Sequence, residues 1–67
     1  MEKLNFIIAK NLSELRRKNK LTQLEVAEKL NYSDKAVSKW EQGESLPGIE
    51  VLYKLAKLYG VSMDYIV

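Results

Sequence analysis

The sequence predicts an all-α domain of five short helices around one hydrophobic core. Three observations predict it. Apolar residues recur at three- and four-residue spacing, not in the strict alternation of strands. Helix-starting residues (Thr22, Ser33, Ser62) are interspersed along the chain with helix-stopping ones (Asn31, Gly43, Gly60). Finally, 67 residues leave room for one domain only, and 46% hydrophobic with 30% charged residues is a globular composition.

The first helix is expected over about 4–18, where Phe6, Ile7, Leu12 and Leu15 recur with Ile8 and Ala9 beside them and no Gly or Pro intervenes. The second is expected over 23–30. Thr22 precedes Glu25 by three positions, the spacing of a capping box. Leu24, Val26, Ala27 and Leu30 form its apolar face, and Asn31 can close it in the left-handed conformation. The third should run over 34–42, with Ser33 as N-cap and Asp34 suiting the positive end of the helix dipole. Its apolar stripe is narrow. Val37 and Trp40 face inward with Ala36 at their flank, so most of its girth is exposed. After Gly43 and a loop containing Pro47, a fourth helix is expected over about 49–59, with Val51, Leu52, Leu55, Ala56 and Leu58 as core. Gly60 stops it. Ser62 then caps a last short helix bearing Met63, Tyr65, Ile66 and Val67.

Composition narrows the function. The chain has neither cysteine nor histidine, which removes disulfides, Cys-based zinc sites and the common nucleophile–base pairs. No catalytic residue, metal ligand or cofactor is therefore expected, and the chain is not expected to be an enzyme. Phe6–Ala9, the longest apolar stretch near the start, is far too short for a signal-peptide core or a membrane span, so a soluble, cytoplasmic domain is expected. The net charge of +2 establishes no partner by itself. Placement says more. Basic residues cluster over 16–20 and recur at Lys29, Lys35 and Lys39.

The second and third helices, joined by a tight turn near Asn31, have the layout of a helix-turn-helix with a polar outer face on the second member. The residues that fill this layout are Leu21-Thr22-Gln23-Leu24-Glu25-Val26-Ala27-Glu28-Lys29-Leu30, then Ser33, Ala36-Val37-Ser38-Lys39-Trp40-Glu41-Gln42-Gly43, Pro47, Leu55-Ala56 and Gly60-Val61-Ser62. From about Leu12 to Ile66 the chain resembles the Cro/C1-type helix-turn-helix domains of phage and bacterial repressors, the XRE family, with a lambda-repressor-like five-helix fold.

The resemblance implies that the third helix enters the major groove of double-stranded DNA, with Asp34, Lys35, Ser38 and Lys39 meeting base edges. By side-chain chemistry lysine suits guanine O6 and N7, and aspartate can accept from cytosine N4. Gln23 then grips a backbone phosphate at the start of the second helix, where the dipole already favours an anion. Thr22 and Ser33 are further phosphate contacts beside their capping roles, as are backbone amides around Gly43 and Ser45. Lys10 and Lys20 are peripheral ones. Arg16 and Glu41 match a family ion pair that sets the angle of the third helix, a planar guanidinium able to hold a carboxylate through two parallel bonds. Trp40, larger than the aliphatic residue usual there, should be core.

The C-terminal Met63, Tyr65, Ile66 and Val67 either close the core or form half of a dimer interface. The family binds near-palindromic operators as dimers, so a homodimer on DNA is expected. The abrupt apolar end at Ile66-Val67 leaves open that the natural chain continues. The function expected is sequence-specific regulation of transcription, as a repressor. The alternative is a protein-interaction module, such as an antitoxin or antirepressor-binding domain.

Overall fold

The computed structural model describes residues 3–67, folded into α1 Leu4–Lys18, α2 Gln23–Leu30, α3 Asp34–Gln42, α4 Ile49–Tyr59 and α5 Met63–Ile66. Most boundaries have a local chemical cause. Thr22 Oγ1 accepts from the Glu25 amide at 3.0 Å while the Thr22 amide donates to Glu25 Oε1 at 2.8 Å, which completes a capping box on α2. Ser33 Oγ and Ser62 Oγ each accept an amide hydrogen bond at 3.2 Å at the starts of α3 and α5. Asn31 ends α2 at φ 61° and Gly43 ends α3 at φ 77°, both left-handed.

α3 packs against α1 and α2, α4 rests on α2 and α5, and α5 reaches back to α1. The core they enclose is Ile8, Leu12 and Leu15 from α1, Val26, Ala27 and Leu30 from α2, Val37 and Trp40 from α3, five residues of α4 from Val51 to Tyr59, and Ile66. Trp40 is buried as expected, and the Tyr32 ring meets it edge-on with centroids 5.4 Å apart.

Two inward faces differ from the sequence expectation. Leu24 is 56% exposed and Phe6 is 50% exposed. At about 100° per residue, the inward direction of α2 set by Val26, Ala27 and Leu30 lies about 110° from Leu24 but about 10° from Gln23. A polar side chain thus occupies the face assigned to a leucine. On α1 the same count turns Ile8, Leu12 and Leu15 inward together with Asn5 and Arg16, and rotates Phe6 away. Phe6 instead covers Gly43, where an added Cβ would sit 2.5 Å from its ring. Leu58, also expected in the core, is half-buried at its edge.

The short α5 is fixed from both sides. Ile66 is fully buried, and Asn11 Nδ2 donates to the Ile66 carbonyl at 2.8 Å. No helix among the described residues is long and apolar enough to cross a membrane.

Candidate nucleic-acid interface

The outer face of α3 follows from its two inward residues. Opposite the Val37–Trp40 midline, the helix presents Gln42 and Lys35, flanked by Ser38 and Lys39. Lys35, Lys39 and Gln42 are exposed, Ser38 is half-buried, and Asp34 is exposed at the first turn. The four residues expected to read bases thus share an accessible region, and Gln42 joins them. Gln42 is not among the residues expected to read bases, although the same angular count identifies it. Its amide donates to Ser38 Oγ at 2.6 Å.

The N-termini of α2 and α3 supply the candidate phosphate contacts. Thr22 and Ser33 are exposed, and each cap uses only an acceptor lone pair of the hydroxyl. The hydroxyl proton remains available, so capping and phosphate binding are compatible on one side chain. Gln23 is half-buried, with Nε2 donating to Glu41 Oε1 at 3.1 Å. One of its amide hydrogens is therefore committed inside the domain. Gly43 does not suit its assigned role. It is buried, its amide donates to the Trp40 carbonyl at 3.4 Å, and its carbonyl accepts from Asn5 Nδ2 at 2.6 Å. The neighbouring Glu44 amide is likewise spent on the Lys39 carbonyl, at 3.0 Å. Ser45, one residue further on, is exposed.

Beneath this surface lies a charged cluster. Arg16 Nε donates to Glu41 Oε2 at 2.7 Å, with the two side chains 15% and 6% exposed. In place of the second parallel bond expected, Nη1 donates to the Leu21 carbonyl at 3.0 Å, and the other carboxylate oxygen is taken by Gln23. One arginine thus ties α1 to α3 and to the turn before α2. With Gln23 on its other oxygen, Glu41 joins three helices. Tyr59 of α4 packs close enough to sense both charges. Burial, and then the Glu41 carboxylate, push its phenol up to about 12, partly offset by Arg16. Arg16 itself is raised by its hydrogen bond to Glu41.

The C-terminal residues divide. Tyr65 and Val67 are more than half exposed, Met63 is half-buried, and Ile66 belongs to the core of its own domain. Ile66 is therefore unavailable to a partner, because removing it from the core would leave a cavity among α1, α4 and α5. Met63 also lines a shallow hollow of about 350 Å³ between α4 and α5, with Tyr53, Lys57, Val61 and Asp64. Among the described residues, no group of three or more carboxylates could hold a metal ion.

The helix-turn-helix family model matches residues 12–66, which includes every element from the middle of α1 to α5. The chain belongs to that family. That family is of the Cro/C1 type. The transcriptional regulator ImmR of Bacillus subtilis (strain 168) is 42% identical over 59 residues, which cover 88% of this chain and 46% of ImmR. The transcriptional activator BcrR of Enterococcus faecalis is 42% identical over 53 residues, 79% of this chain and 26% of BcrR. The helix-turn-helix chain thus spans half or less of these relatives. Two solved structures share its fold. The clp gene regulator ClgR from Corynebacterium glutamicum has a TM-score of 0.90 at 23% identity, covering 97% of this chain and 69% of its own. HppE with the alternative substrate (S)-1-HPP also gives 0.90, at 22% identity, covering all of this chain but 35% of its own.

Proposed function

We propose that this helix-turn-helix domain binds duplex DNA sequence-specifically as the reading part of a transcriptional regulator, a repressor that acts by occluding a promoter. α3 enters the major groove with Asp34, Lys35, Ser38 and Lys39 toward base edges. Thr22, Gln23, Ser33 and the backbone of the exposed Ser45 position the domain on phosphates. The observation that carries this reading is the polar, accessible outer face of α3, a helix joined to α1 through the Arg16–Glu41 ion pair. Rigid presentation matters because base contacts discriminate only when their donors and acceptors are held in register.

The domain acts as a homodimer on a near-palindromic operator, paired through Met63, Tyr65 and Val67 at the α4–α5 end. The hollow there supports self-association. Lys57 and Asp64 line it with opposite charge, and a two-fold contact that sets one residue against the other does so twice.

Selection of bound duplexes from a random pool, then titration of the winner at two salt concentrations, tests both statements. A palindromic consensus is expected, with log K falling by about 0.9 per phosphate neutralised for each tenfold rise in salt. Weak binding without a consensus would refute the assignment of α3.

A further inference from the structure

The outer face of α3 carries a hydrogen bond that the core does not require. Gln42 Nε2 donates to Ser38 Oγ at 2.6 Å, from an exposed side chain to a half-buried one. We propose that Ser38 and Gln42 form one base-reading unit whose ligand is adenine. This rests on α3 entering the major groove.

Spacing makes the bond significant. Residues four apart on a helix are about 6 Å apart along its axis, whereas stacked bases are about 3.4 Å apart. Two independent side chains so placed would meet different base pairs. The hydrogen bond draws the Gln42 amide back toward Ser38, so their polar atoms converge on one base.

The bond also fixes what each atom offers. A serine hydroxyl has one proton to donate and lone pairs to accept with. By accepting from Gln42, Ser38 Oγ commits a lone pair and directs its proton elsewhere. Gln42 Oε1 stays open as an acceptor. The pair therefore presents a donor beside an acceptor, which complements the N7 acceptor and N6 amino donor of adenine. Guanine would set O6 against Gln42 Oε1, two acceptors in opposition. Cytosine offers an amino group where Ser38 needs an acceptor, and thymine has one acceptor beside a methyl group. Lys35 and Lys39, on the adjacent row, carry donors only and suit guanine. The face is thus divided into a mixed donor–acceptor row and a purely donating row.

The experiment is selection of bound duplexes by the whole chain, by Ser38→Ala, by Gln42→Ala and by the double variant. Both positions lie outside the core, and thermal unfolding verifies that each variant remains folded. The unsubstituted chain is expected to select an A·T pair whose preference disappears in either single variant while the other positions keep theirs. The double variant should lose no more than either single one, because the two side chains act together. Replacing that adenine by 7-deazaadenine, which lacks N7, should weaken binding by the unsubstituted chain about tenfold and hardly affect the variants. An adenine preference that survives Gln42→Ala would overturn the unit while leaving α3 as the reader. So would two single variants that relax different base pairs. If the unsubstituted chain selects no consensus, the groove assignment fails and the unit with it.

Discussion

Replacing Arg16 by alanine should destabilise the domain severely. The substitution leaves the Glu41 carboxylate, 6% exposed, with the Gln23 amide as its remaining side-chain partner, and strips the Leu21 carbonyl of its guanidinium donor. Breaking one side of such a buried pair costs about 3 kcal/mol, because the surviving charge stays desolvated without its counter-ion. A domain of 67 residues has a total stability of roughly 3–10 kcal/mol. The expected fall in unfolding temperature is roughly 12–24 °C. Far-UV circular dichroism during a thermal ramp measures it. Pairing Arg16→Met with Glu41→Met should recover most of the loss, since apolar replacement of a whole buried pair is often neutral. If Arg16→Ala melts within about 2 °C of the unsubstituted domain, a loss below roughly 0.5 kcal/mol, the pair does not hold α3.

Gly43→Ala should cost about 1–2 kcal/mol for the left-handed backbone alone, and more because the new Cβ meets the Phe6 ring. Adding Phe6→Ala should make the glycine substitution cheaper, and equal costs in both backgrounds would refute the contact. Tyr59 gives a pH dependence. Its folded phenol titrates at about 12 against an ordinary 10, so folding favours the neutral form. That contribution is fully present below pH 10 and is lost as pH rises from about 10 to about 12. Tyrosinate absorbance should therefore show a late-titrating group that Tyr59→Phe removes, and its persistence in that variant would assign it elsewhere. On DNA, Lys39→Ala should cost about 1–3 kcal/mol and relax preference at one base pair, whereas Gln23→Ala should weaken all sequences alike. Equal losses on every sequence for both variants would reverse the division of roles.

The helix boundaries were legible in the sequence because their chemistry is local. A capping hydroxyl at Thr22, Ser33 or Ser62 bonds an amide three residues on, and the stops at Asn31, Gly43 and Gly60 need only a residue that tolerates positive φ. The order of helices and the outward row of α3 follow from such neighbours and from 3.6-residue periodicity. Other features depend on residues far apart in the chain. Which faces turn inward was decided by packing, which buried Ile8 and left Phe6 and Leu24 outside. Gly43 reads as an open loop residue until Asn5, 38 positions away, takes its carbonyl. Ile66 and Tyr65 read as one C-terminal patch until Asn11, 55 positions from Ile66, binds the backbone and the core swallows one side chain but not the other. The sequence by itself determined the helices, their caps and the kind of surface α3 presents, because those depend on interactions within one or two turns. Only the tertiary structure decided which polar groups remain free to bind, because hydrogen-bonding capacity is consumed by partners that periodicity cannot locate.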